Sequence, residues 1–87
     1  PDMSETAVAA EVNLIGLRVD EALPRLEKFL NHATLAGLSE VTIIHGIGTG
    51  ALAKAVREHL SEHPLVKSYR VGEQTEGGGG VTVVVLK

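Results

Sequence analysis

The sequence predicts an α/β domain, a two-layer β-α-β-α-β-β sandwich with a four-stranded mixed sheet and both helices on one face. Two stretches repeat apolar residues at spacings of three and four, the pattern of helices with one buried side. Short apolar runs bounded by glycine or proline lie before, between and after them, as strands do. The chain has 87 residues, enough for one domain with a modest core.

The elements follow in order. Residues 1–11 are small, polar or acidic and read as a linker or short appended segment, leaving 12–87 as the domain. Val12-Asn13-Leu14-Ile15 is a short strand ended by Gly16. A helical stripe of Leu23, Leu26, Leu30 and Ala33, flanked by Ala22 and Phe29, starts from Asp20. Asp20 is the expected cap, with Pro24 in the first turn, where its missing N–H costs little. Gly37 ends this helix. Val41 to Ile44 is continuously apolar, as in a strand buried on both faces. The second helix runs from Ala51 to Glu62, with Leu52, Ala55, Val56, His59 and Leu60 on its buried side. After Pro64, Val66 to Val71 alternates like a half-exposed strand. Gly77–Gly80 reads as a flexible loop, either a mobile flap or a plain hairpin connection, and Val81 to Leu86 as an apolar final strand.

Helical crossovers make the first three strands parallel, and right-handed connections running one way put both helices on one face. The last strand returns antiparallel from the third. Its apolar run calls for a central position and the charged third strand for an edge, which gives the order 1-2-4-3. Gly16 with Arg18, the His45–Gly50 loop and the Gly72–Gly80 connection then gather at the carboxyl ends of the strands, where open α/β sheets bind ligands.

Bulk properties exclude several classes. The 44% apolar and 22% charged fractions are those of a globular domain. No apolar run is long enough to cross a membrane and no signal peptide is visible, so a cytoplasmic location is expected. Without cysteine there is neither disulfide nor thiolate metal site. The formal charge of −3 speaks against a strongly basic nucleic-acid binder. However, taking Asp2, Glu5 and Glu11 from the 11 acidic residues leaves eight, against eight Lys and Arg, all beyond residue 12.

The strand Val41–Ile44 runs into His45-Gly46-Ile47-Gly48-Thr49-Gly50, and a helix opens at Ala51. Glycines let backbone approach a ligand, and a helix start offers unpaired N–H groups and partial positive charge, which together favour phosphate. Gly46, Gly48, Thr49 and Gly50 are therefore candidate phosphate contacts; a tight turn without ligand is the alternative. Lys54 and Arg57 stand one turn apart on the helix and would assist, unless they are only a solvated face. His45 is a candidate acid/base or phosphate partner, or else a structural histidine bonded to the loop. No histidine–carboxylate set shows metal spacing, because His59 and His63 lack an accompanying glutamate.

Leu17-Arg18-Val19-Asp20-Glu21-Ala22-Leu23, His45-Gly46-Ile47-Gly48-Thr49-Gly50-Ala51-Leu52, His63-Pro64-Leu65-Val66 and the glycines before Val81 resemble the small MutS-related (Smr) domain. The likeness is to the version that ends a bacterial MutS paralogue not used in mismatch repair, and it covers residues 12–87. It implies a fold like that of the C-terminal domain of translation initiation factor three. It also implies DNA or RNA binding, often with nicking or endonuclease activity, within a parent ATPase chain linked to recombination control or ribosome rescue. The resemblance assigns His45, Gly46, Gly48 and Gly50 to the family's central motif. At the first strand the family carries Leu-Asp-Leu-His-Gly or Leu-Asp-Leu-Arg-Gly, where this chain has Val12-Asn13-Leu14-Ile15-Gly16. Asn13 thus stands where a catalytic carboxylate is expected and cannot take a proton. No cofactor is evident; a divalent cation is implied only if the domain is a nuclease. The rival expectation is a non-catalytic protein-interaction module docking its parent on ribosomes or a partner.

Overall fold

The computed structural model describes residues 10–87. Six main elements follow one another as β1 (Glu11–Asn13), α1 (Val19–Leu35), β2 (Glu40–Ile44), α2 (Ala51–Ser61), β3 (Val66–Val71) and β4 (Val81–Leu86). The strands form one sheet in the order β1-β2-β4-β3, as expected. β1 lies parallel to β2 with Val12 opposite Ile43, and β4 pairs antiparallel with both β2 and β3. β1 starts at Glu11, one residue before the expected domain boundary. Residues 1–9 of the expected appended segment lie outside the described part.

α1 buries Ala22, Leu26, Leu30 and Ala33, a stripe at helical spacing, with Leu23 and Phe29 packed at its margin. The cap differs from expectation. Helical backbone begins at Val19, so Arg18 occupies the cap position and its N–H donates to Glu21 Oε1 at 3.0 Å. Asp20 is already inside the helix, which moves Pro24 into the second turn. There the proline leaves the Asp20 carbonyl without its usual donor, but both residues are exposed and water can reach that oxygen. At the far end the Leu38 and Gly37 amides return to the Ala33 and Thr34 carbonyls, both at 3.0 Å. Gly37 adopts φ 78°, the left-handed cap that favours glycine.

The core lies between the helices and one sheet face, joining Leu14, Val41, Ile43 and Val84 to Val56 and Leu60 of α2. On α2 the fully buried side is Ala53, Val56 and Leu60, while Leu52, Ala55 and His59 flank it half-buried. β2 departs from the expected burial on both faces: Val41 and Ile43 are buried, Thr42 and Ile44 only partly. With both helices on one side, the opposite side of β2 has no layer to cover it.

β4 is the strand with both faces closed off, as its apolar run requires. The β3–β4 connection is not a bare flexible loop. It folds into two short 3-10 turns, Gln74–Glu76 and Gly78–Gly80, and is pinned by Arg70, whose guanidinium donates to both Glu76 oxygens at 2.8 and 2.9 Å. That hydrogen bonding holds the Glu76 carboxyl down at about 2.

Candidate functional site

The loop after β2 is fastened from two sides. Its His45 ring is only 4% exposed. Nδ1 stands 2.8 Å from the Gly46 carbonyl oxygen, which can only accept, so Nδ1 carries a proton. Nε2 is 2.8 Å from the Thr82 hydroxyl on β4, and in the neutral ring it accepts that proton. The His45 and Gly46 amides both donate to the Gly80 carbonyl, at 3.0 and 2.9 Å. His45 thus ties the loop to β4 with both ring nitrogens engaged. A histidine bonded to its own loop is the alternative reading, and both ring nitrogens have partners of that kind here.

Beyond this anchor the chain turns outward. Gly46, Gly48 and Gly50 take φ values of 77°, 42° and 87°, a left-handed region costly to residues with a Cβ. Between them the Ile47, Gly48 and Thr49 amides meet no acceptor among the described residues, and the first turn of α2 adds further open amides. Gly50, whose N–H donates to the Ile47 carbonyl at 3.0 Å, precedes Ala51 as the helix cap. Unpaired N–H groups in a glycine-rich turn at a helix start suit an anion.

The remaining candidates are distributed unevenly. Asn13 ends β1 opposite Ile44, beside the loop, and its Oδ1 accepts the Ile15 N–H at 2.9 Å. An aspartate could make the same bond, so the neutral amide keeps the turn and drops the charge. Arg18 stands at the start of α1 on the same edge, its side chain 80% exposed and paired with Asp20 at 3.4 Å. Lys54 is exposed on α2. Arg57 is not on a freely solvated face: it is half-buried, and its Nε is buried without a hydrogen-bond partner. Next to the loop, a groove of about 360 Å³ is lined by Ile15, Ile44, Gly46, Ile47, Gly77 and Val81 among others. Ile15 and Ile47 are 58% and 72% exposed at its rim.

Two groups of residues escape a reading of the sequence. Thr82 and Gly80 complete the His45 anchor; the one signal was a lone threonine in the run Val81–Leu86. The second group is Glu27, His59 and His63, brought together where α1 packs on α2. The Glu27 carboxyl is held below its ordinary value, chiefly by the hydrogen bond from His63. The His59–His63 spacing was visible, but the carboxylate arrives from another helix.

Comparison with known proteins identifies the family and agrees with the fold. The family model described as the Smr domain matches residues 12–87. A relative named Endonuclease MutS2 from Geobacillus kaustophilus is 55% identical over 80 residues, covering 92% of this chain and 10% of the relative. The chain therefore spans about a tenth of the length of such relatives. The crystal structure of the Smr domain of Thermus thermophilus MutS2 superposes with a TM-score of 0.87 at 47% identity, covering 88% of this chain and 96% of that one. YdaL, a stand-alone small MutS-related protein from Escherichia coli, gives 0.85 at 30% identity over 90% of this chain and 64% of its own. Matched over nearly its whole described length by family model, relatives and structures alike, the chain belongs to the Smr domain family.

Proposed function

We propose that this domain binds the phosphodiester backbone of DNA or RNA through the His45–Gly50 loop and the start of α2. The observation that carries this is the set of open amides at Ile47, Gly48 and Thr49, in an exposed turn among left-handed glycines. Lys54 adds positive charge one turn into α2, and Arg18 lies at the same edge. His45 positions the loop through its bonds to the Gly46 carbonyl and the Thr82 hydroxyl. The parent is a longer MutS-like ATPase acting in recombination control or ribosome rescue, in keeping with the family and with relatives named Endonuclease MutS2. Nicking by this chain is limited by Asn13, whose amide replaces a base or cation-binding carboxylate beside the loop.

The binding reading is tested by titrating labelled DNA and RNA across a salt series. Affinity should fall linearly with salt on logarithmic axes, and Lys54→Ala should lower that slope by about one. An unchanged slope removes Lys54 from the interface. For cleavage, Asn13→Asp retains the acceptor for the Ile15 amide and should fold normally. Nicking of supercoiled plasmid is expected to appear or rise in that variant. Equal nicking by both proteins would show that a carboxylate at this position is not limiting.

A second reading has its own observation. The Ile15 and Ile47 side chains expose apolar surface beside the groove, which suits a protein partner and would give binding insensitive to salt and to Lys54→Ala.

A further inference from the structure

We propose that Glu27, His59 and His63 form a binding site for a divalent transition metal of the zinc type, separate from the His45–Gly50 loop. His59 lies eight residues into α2, about 12 Å along the helix axis from its start. Glu27 belongs to the middle of α1, and His63 to the turn that follows α2.

The ligand atoms are already gathered. His59 Nε2 is 3.0 Å from Glu27 Oε1, and His63 Nε2 is 2.9 and 3.0 Å from the two Glu27 oxygens. All three groups offer a ligand atom within 4.8 Å of one another. A zinc ion with ligands at about 2.0–2.2 Å spaces neighbouring ligand atoms by roughly 3.4 Å. The two Glu27–histidine contacts, at 2.9–3.0 Å, need to open by only a few tenths of an ångström to reach that spacing. Two imidazoles with one carboxylate is a mixed nitrogen–oxygen set that favours zinc, copper or nickel over magnesium or calcium. A neighbouring cleft of about 520 Å³, also lined by Asn31 and Glu62, leaves room for water in the remaining positions.

Hydrogen bonding orients the ligands. His63 Nδ1 accepts the Leu65 N–H at 3.1 Å, and its Nε2–H donates to Glu27. The His63 side chain is only 6% exposed, so the ring is fixed with Nε2 toward the carboxylate. Coordination through His63 Nε2 moves that nitrogen's proton to Nδ1, so the Leu65 amide loses its acceptor and must turn away. The Leu65 amide therefore reports the event, a signature that adventitious zinc on surface histidines lacks.

The test uses the untagged 87-residue chain freed of metal with a chelator. Zinc titration followed by calorimetry and amide NMR should give one ion per chain, with shifts centred on His59, His63 and Leu65. At zinc a hundredfold above Kd the unfolding midpoint should rise by roughly 10–20 °C. Glu27→Gln and His59→Asn both alter partly exposed side chains that tolerate change. Each should weaken zinc binding by at least the 10–100-fold typical of a lost outer-shell partner. The proposal is overturned if Leu65 does not respond, if shifts centre on His32 instead, if either variant binds as tightly as the parent, or if magnesium gives the same response.

Discussion

His45→Ala is expected to cost about 2–4 kcal/mol of stability and to abolish nucleic-acid binding together, because one side chain serves both. The substitution removes a ring from a buried site, leaves the Thr82 hydroxyl without its partner, and frees the Gly46 carbonyl from the ring nitrogen. Loss of activity in that variant would not by itself separate anchoring from proton transfer. Thr82→Val does separate them. Thr82 is fully buried and cannot touch a ligand, and valine preserves its shape. Removing the hydroxyl strands His45 Nε2 in apolar surroundings, at about 1–3 kcal/mol. If His45 anchors the loop, Thr82→Val should shift the Ile47–Thr49 amides in NMR spectra and weaken binding in proportion to the stability lost in urea unfolding. Wild-type stability and loop amides in His45→Ala, with only cleavage lost, would return the histidine to a role in chemistry.

The architecture was legible because its signals are local and mutually consistent. The stripe on α1, the apolar run of β4 and the charged β3 together require the order β1-β2-β4-β3, and Gly37 announces the end of α1. Errors arose where a local signal met a tertiary condition. The apolar run of β2 looked like two-sided burial, yet a single helical layer leaves Thr42 and Ile44 half-covered. Asp20 has the chemistry of a cap, but the Leu14–Leu17 turn, closed by a 3.1 Å bond, delivers the chain to the helix two residues earlier. Arg57 sits where helix periodicity allows solvent, and its buried Nε shows a neighbour that periodicity does not contain. At the site, the glycine run and a loop-bonded His45 were both readable, whereas the partner of the ring was not, since Thr82 lies 37 residues away. The His59–His63 spacing has a local spelling, but Glu27 joins it only through the packing of α1 on α2.

The glycines before β4 separate position from composition. Gly77 and Gly79 are indistinguishable in a run of four, yet their substitutions should differ sharply. Gly77 has φ 117°, and a Cβ built on it would lie 2.5 Å from Val81 Cγ2. Val81 is 4% exposed and pairs with Ile44 at the head of β4, so it cannot yield without moving the strand. Left-handed strain of about 1–2 kcal/mol and overpacking of about 1–3 kcal/mol put Gly77→Ala at roughly 2–5 kcal/mol of lost stability. The damage should also travel, because the 3-10 turn beginning one residue later ends in the Gly80 carbonyl that receives the His45 and Gly46 amides. Weakened nucleic-acid binding is expected even though Gly77 is offered no direct part in it. Gly79 has no left-handed φ and no atom within 4 Å of its would-be Cβ, so Gly79→Ala should be neutral or stabilising by about 0.4–1 kcal/mol through the unfolded chain. Urea midpoints and binding curves for the two variants, measured side by side, decide the matter. If both are tolerated, the connection is a passive hairpin loop and the anchor of the His45 loop rests on Thr82 alone.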